Sequence, residues 1–280
     1  MSRLVFGGMS ASSFLSEEDV RLSDRFLSDG FVIQPCEYQD LLDQIRGIIQ
    51  SEANRWLSEH GVVRSIDVLS DSHLAIPLQD INEIRLHLYA RLNSDAEIRK
   101  RYFSLAGLLL QKLVGNELAM QNKVNLSIQQ PHDQTSVLEL HSDVWSGDSP
   151  FQVVLWVPLT DSNGTNAMFL LPPEKRHEAY RRARAGELRS MSEIHDAYRS
   201  DFRTVEVKFG QVLVFNSNCL HGNQLNTTSV SRWSLNCRLV SLLAPTTTPE
   251  RRLGAYYTPI MVRPATRMGL QAIEALGVVS

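Results

Sequence analysis

Three short stretches hold residue types at spacings that suit metal chemistry. In "LELHSDVWSGDSP", residues 138–150, His141 and Asp143 stand two apart. On an extended segment, side chains two apart project to the same side. Downstream, "FGQVLVFNSNCLHGN" reads as a strand running to His221, near a Gly222-Asn223 turn. Two histidines and one carboxylate form the facial set that suits Fe(II) and leaves coordination positions open. An oxygenase needs such positions for O₂ and a co-substrate. In "SRWSLNCR", Arg232 is followed by Ser234. A guanidinium there can grip a carboxylate through two parallel hydrogen bonds, a geometry that lysine cannot match. The serine hydroxyl can add a third. Taken singly, each residue has a plainer role: a structural histidine, or a polar strand end running into a loop.

These residues must be positioned by strands. From about residue 122, "KVNLSIQQ", "FQVVLWVPLT", "AMFLLP", "RTVEVKFGQVLVFN" and "SRWSLNCRLVSLLA" are short, β-rich and separated by turn signals, the pattern of a sandwich or barrel. Before them the chain reads as helical. Ser16 is a candidate N-cap, with Asp19 three residues on, and Gly30 is a stop. "FVI" follows as a strand. "YQDLLDQIRGIIQSEANRWLSEHG" is an amphipathic helix, and residues 78–120 give two more helical segments. Residues 174–203 interrupt the strands with a helix-prone insertion carrying seven arginines. A solvated face is its default reading; gripping a substrate phosphate or carboxylate is the sharper one. The expected organisation is one domain over 1–280. A mainly helical part, 16–120, packs on a β-core, 121–245, and 246–280 forms a C-terminal extension.

Alternation gives two of the strands a polar face. Asn125, Ser127 and Gln129 share one side, as do Arg232, Ser234, Asn236 and Arg238. Such faces ordinarily meet solvent. With helices available to cover the sheet, they can instead line a lumen, which must then hold water or ligand because buried polar groups need partners. Asn125, Gln129 and Arg238 become candidates for contacts to co-substrate or substrate. Trp156 reads as core or as a pocket wall, and Trp145 as part of a loop at the pocket mouth. Cys219 stands two before His221, but Cys36 and Cys237 complete no zinc pattern. His60, His73, His87, His132, His177 and His195 lack partners at ligand spacing.

The net charge of −3 gives no field favouring nucleic acid or an anionic membrane. The three scattered cysteines suit a reducing, cytoplasmic setting. No leader pattern and no membrane-spanning apolar run is read from the sequence.

The combination of His141-x-Asp143, His221 and Arg232-x-Ser234 resembles the Fe(II)/2-oxoglutarate-dependent oxygenases, in their phytanoyl-CoA dioxygenase-like branch. "RFLSDGFVI" is similar to that branch's opening helix and strand. "HSDVWSGDSPFQVVLWVPL", "FGQVLVFNSNCLHGN", "SRWSLNCR" and "YYTPIMVRPATRMGL" resemble bacterial members found in carbohydrate and aminoglycoside gene clusters. "LLPPEKRHEAY" departs from the family, standing where many relatives carry a Pro-Gly-Ser-His turn. The resemblance implies a mostly β, α+β fold: a cupin-like double-stranded β-helix, or jelly roll, flanked by N-terminal helices. It implies Fe(II) on His141, Asp143 and His221. It places 2-oxoglutarate on Arg232 and Ser234, with Asn125 as a further contact, and makes O₂ the second co-substrate. Substrate contacts are expected from Gln129, Trp145, Trp156 and Arg238. The implied reaction oxidises an unactivated C–H bond of a small polar, carbohydrate- or aminoglycoside-like molecule, by hydroxylation, ring closure, desaturation or epimerisation. Asp143 fills the position a halide would need, which argues against halogenation. The alternatives are an amino-acid or acyl substrate, or a non-catalytic metal-binding jelly roll. Neither nucleic acid nor membrane is an expected partner, and the oligomeric state is left open.

Overall fold

The computed structural model describes residues 14–245 and 248–277. The helical part opens with α1 (Glu17–Asp29), whose N-cap Ser16 accepts a hydrogen bond from the Asp19 N–H at 3.1 Å. Gly30 ends it at φ 82°, a left-handed conformation that glycine adopts without a Cβ clash. Strand β1 (Phe31–Pro35) leads into α2 (Gln39–Glu59), which buries Leu42, Ile45, Ile49, Ala53, Trp56 and Leu57 along one stripe. Three shorter helices follow: α3 (Ile81–Ser94), α4 (Ile98–Ser104) and α5 (Gly107–Leu113).

The chain then becomes β-rich. Strands β2 (Leu118–Gln121), β3 (Asn125–Gln129), β4 (Gln152–Pro158) and β5 (Met168–Leu170) precede the insertion. The insertion folds as α6 (Pro173–Arg184) and α7 (Met191–Ala197). After it come β6 (Arg203–Val205), β7 (Gln211–Asn216), β8 (His221–Asn223) and β9 (Arg232–Ser241). The chain closes with β10 (Tyr257–Met261) and α8 (Pro264–Leu276).

The strands form two antiparallel sheets. The larger runs β1-β7-β4-β9-β2-β10, with β3 also pairing β9; the smaller runs β6-β5-β8. One face of the large sheet is apolar. Leu126, Ile128, Leu155, Val214, Trp233, Leu235 and Leu239 pack there with Leu42, Ile45, Ile84 and Leu88 of the helices. Tyr102 of α4 is fully buried, and its hydroxyl reaches the Leu155 and Leu235 carbonyls at 2.9 and 3.1 Å, pinning the helical layer to β4 and β9. A second apolar cluster, with Val154, Trp156, Met168, Leu170, Leu213 and Phe215, fills the space between the two sheets.

Two expectations change. Residues 78–120, read as two helical segments, hold three helices, and residues 118–120 at their end join Gln121 in β2. Leu, Ala and Met favour helix by themselves, but pairing with β9 and β10 and full burial override that preference. The C-terminal extension adds an edge strand and a helix. Among the described residues, no helix is long and apolar enough to cross a membrane.

Candidate metal centre and its cavity

His141 and His221 meet as an isolated antiparallel bridge, outside any strand ladder on the His141 side. The His141 N–H donates to the His221 carbonyl at 3.0 Å, and the His221 N–H donates back at 2.9 Å. Residues 138–141 are therefore not the strand expected from their sequence. Asn223 holds them instead: its backbone N–H donates to the Leu138 carbonyl, its side-chain oxygen accepts from the Leu138 N–H, and its side-chain amide donates to the Ser136 carbonyl. Ser142 is extended, at φ −126° and ψ 133°, so Asp143 returns to the side of His141 before a 3₁₀ helix begins. The Gly222-Asn223 pair lies within β8 rather than in a turn. A Cβ on Gly222 would stand 2.7 Å from the Leu138 carbonyl oxygen, so only glycine allows this close approach.

One nitrogen or oxygen from each of His141, Asp143 and His221 lies within 4.8 Å of the others. The imidazoles are set by their backbone partners. His141 Nδ1 is 2.8 Å from the Glu139 carbonyl, and His221 Nδ1 is 2.9 Å from the Cys219 carbonyl. A carbonyl only accepts, so Nδ1 carries the proton in each ring and Nε2 keeps a free lone pair. Burial, reinforced by the neighbouring His141, pushes the His221 pKa down to about 4, which keeps it neutral and able to ligate.

Asp143 is 4% exposed, and its Oδ2 accepts from Arg238 Nη2 at 3.0 Å and Nε at 3.2 Å. Its other oxygen lies 3.7 Å from His141 Nε2. Arg238 also pairs with Asp148 at 2.9 Å, and Asp148, 2% exposed, has Arg251 Nε 3.0 Å away without hydrogen-bond alignment. Burial opposes the charge on Arg238, but the carboxylates of Asp143 and Asp148 outweigh it and hold its pKa above the usual arginine value. Arg238, expected to touch substrate, lines the cavity and also orients a carboxylate. Neither Asp148 nor Arg251 is singled out by the sequence. Their roles come from loops that the fold brings under β9.

The triad opens into a cavity of about 480 Å³ that Asn125, Ser127, Trp156, Arg232 and Asn236 also line. Its polar wall follows from strand register: Asn125 sits opposite Asn236, Ser127 opposite Ser234, and Gln129 opposite Arg232. Asn125 donates to the Asn236 side-chain oxygen at 3.1 Å. Arg232 is 4% exposed, 5.7 Å from the Trp156 ring centre, and its Nε has no hydrogen-bond partner. Burial pushes its pKa down to about 10, with no carboxylate to offset it. The Ser234 hydroxyl is likewise buried and unpartnered. Such orphaned groups cost stability unless a ligand satisfies them, and a carboxylate would satisfy both.

Two expected contacts fall elsewhere. Gln129 is fully buried, does not line the cavity, and donates to the Gln224 carbonyl at 2.7 Å, because β3 carries it past the chamber. Trp145 is 49% exposed and packs on Tyr180 at 5.3 Å between ring centres, because the 3₁₀ helix turns it away from the cavity. Among the lining residues absent from the sequence reading is a charged one, Arg85, from α3. Nothing in its neighbourhood marks it, since its position depends on how α3 packs. None of the seven insertion arginines lines this cavity; Arg199 lines a neighbouring one of about 610 Å³.

The family described as Phytanoyl-CoA dioxygenase (PhyH) matches residues 26–234, well over half of the chain. No curated protein matches the sequence. Among solved structures, AviO1 from Streptomyces viridochromogenes Tue57 is 17% identical, with 85% of this chain and 100% of that one covered and a TM-score of 0.55. EvdMO1 is 16% identical, with 80% and 50% covered and a TM-score of 0.54. HygX from Streptomyces hygroscopicus, solved with nickel and 2-oxoglutarate bound, is 17% identical, with 88% and 98% covered and a TM-score of 0.49. AviO1 and EvdMO1 share the fold, in which the two facing sheets form a jelly-roll core. The chain belongs to the phytanoyl-CoA dioxygenase family, and it is a 2-oxoglutarate-dependent non-haem iron oxygenase that uses Fe(II), 2-oxoglutarate and O₂.

Proposed function

We propose that His141, Asp143 and His221 hold the iron, that Arg232 and Ser234 bind the far carboxylate of 2-oxoglutarate, and that the substrate is a small polyhydroxylated molecule. The observation that carries this reading is the buried, acid-free guanidinium of Arg232, in the same cavity as three convergent metal donors. Held there, iron with 2-oxoglutarate and O₂ would supply an oxidant for an unactivated C–H bond, one oxygen atom of O₂ passing to succinate as CO₂ leaves. The protein's own residues do the rest. The Glu139 and Cys219 carbonyls fix both imidazoles with Nε2 inward. Arg238 holds one oxygen of Asp143 and leaves the other toward His141. Val154, Trp156 and Phe215 line the chamber and keep water from its wall.

The substrate class follows from the groups left over. Asn125, Ser127 and Asn236 present polar side chains to the cavity; Asn125 and Asn236 pair with each other and keep one amide oxygen and one amide nitrogen with further bonding capacity. A greasy substrate would displace water from that capacity without replacing its hydrogen bonds, at about 1–3 kcal/mol per group; hydroxyl groups would satisfy it. A sugar, an aminocyclitol or a glycoside fits, and the same residues serve hydroxylation, desaturation, epimerisation or ring closure.

The experiment is substrate-stimulated succinate formation across aminoglycosides, nucleotide sugars, free amino acids and acyl-CoA thioesters. Stimulation by a carbohydrate member is expected. Coupled turnover of an acyl-CoA or amino acid, with every carbohydrate silent, sinks the substrate class. Succinate formation that survives loss of Arg232 sinks the co-substrate site.

A further inference from the structure

Arg85 reaches the metal cavity from α3 of the helical layer. Its place on α3 is fixed. Ile84 and Leu88 beside it are buried in the main core. Eight residues on, the Asn93 side chain bonds both the N–H and the carbonyl of Val124, each at 2.9 Å, and so ties α3 to the start of β3. Arg85 Nη2 donates to the Asn82 side-chain oxygen at 2.7 Å, three residues back, which steadies the guanidinium.

The charges around the cavity are unevenly spoken for. Among the described residues, Asp143 is the only acid lining it, and Arg238 already holds that carboxylate. Arg232 has no acidic partner and serves the co-substrate under the reading above. Arg85 has no acidic partner among the described residues and no counterpart in the co-substrate. With the far carboxylate of 2-oxoglutarate on Arg232 and Ser234, and its other carboxylate directed to the metal held by His141, Asp143 and His221, Arg85 is left lining the space where substrate must sit. A cation at the mouth of a polar cavity attracts and orients an anionic group.

From this we infer that Arg85 is a specificity-determining residue, and that the substrate carries an anionic group, a carboxylate or a phosphate, beside its hydroxyls. The inference rests on the chamber being the one that takes co-substrate and substrate together. It narrows the substrate class: an acidic or phosphorylated sugar matches the cavity, whereas a polycationic aminoglycoside would bring like charge against Arg85. It also moves anion recognition from the arginine-rich insertion to α3.

The test is calorimetric titration of protein loaded with Fe(II) and 2-oxoglutarate under anoxia. The probes are glucose, glucosamine, glucuronate, glucose 6-phosphate and phenyl phosphate. Glucuronate or glucose 6-phosphate is expected to bind at least about tenfold more tightly than glucose, as a charge-assisted contact requires, with glucosamine weakest. Whichever of the two binds identifies the group. Arg85→Gln should erase that preference and leave the 2-oxoglutarate constant within about twofold, while Arg85→Lys keeps part of the preference. Equal binding of glucose and the anionic sugars overturns the inference and leaves the polyhydroxylated reading intact. Arg85-dependent binding of phenyl phosphate, with every sugar silent, does the reverse. The inference also falls if no anionic probe binds in an Arg85-dependent way, or if Arg85→Gln acts mainly on 2-oxoglutarate.

Discussion

His141 and His221 exchange both backbone hydrogen bonds, at 3.0 and 2.9 Å, and their rings lie 4.2 Å apart. Two candidate metal donors distant in sequence are thereby held by one bridge rather than by a ladder. The close approach depends on Gly222, next to His221, which lets the 136–138 segment lie flat against β8.

Gly222→Ala should separate that pair. The new methyl meets the Leu138 carbonyl at 2.7 Å and the Phe169 ring at 2.9 Å, and neither can move freely. A cost of about 1–3 kcal/mol in stability is expected for such overpacking, seen as a lower melting temperature. Metal affinity should fall with it. A melting temperature and Fe(II) constant equal to those of the parent would show that the segment shifts without consequence.

Asp143→Asn should abolish turnover and leave the protein folded. Asp143 is buried against Arg238, but Asp148 remains to neutralise that arginine. Circular dichroism should show native secondary structure while anaerobic Fe(II) titration shows lost affinity. An unfolded variant would mean that the ion pair is needed for the fold itself.

Arg232→Lys should raise the 2-oxoglutarate constant with little effect on iron. Lysine keeps the charge but loses the paired geometry, about 1.5–3 kcal/mol for a charged hydrogen bond, or roughly tenfold and more. Titration of 2-oxoglutarate into Fe(II)-loaded protein measures this. Arg238 cannot take over the grip, because Asp143 and Asp148 occupy it.

Arg238→Gln should weaken metal binding while Arg232 keeps its hold on 2-oxoglutarate. Loss of a group that orients a ligand typically costs about 10–100-fold in metal affinity. A competition titration against a chelator reads the change. Equal affinity in parent and variant would leave Asp143 oriented by its own backbone alone.

The metal-free protein should lose stability as pH falls. His221 takes a proton near 6.5 when unfolded but only near 4 when folded, because burial disfavours its charge. Between those values the unfolded state binds more protons, so stability rises with pH across that window and falls toward its acid end. The loss is on the order of 3 kcal/mol. Urea denaturation of metal-free protein at pH 7 and pH 4.5 measures it, and replacing His221 with Gln should flatten the difference.

The donor set was legible in the sequence because it depends on local pattern. His141 and Asp143 share a side through alternation alone, and Arg232 begins the alternating strand β9; His221, read as the end of the preceding strand, instead opens the short β8 of the smaller sheet after β7 ends at Asn216. Alternation likewise marked the face shared by Asn125, Ser127, Ser234 and Asn236. What it could not supply was which sheet face would be enclosed. That was decided when the helices covered the apolar side and β3 paired with β9 in a register placing Ser127 opposite Ser234. Partner choice among the charged groups was also tertiary. Arg238 and Arg232 alternate along one strand, yet one meets two carboxylates from a loop and the other meets none. Arg85 enters the cavity only because α3 docks on β3. Side-chain direction is fixed by a residue's immediate neighbours along the chain, whereas the partner a charge finds is fixed by segments far from it in sequence.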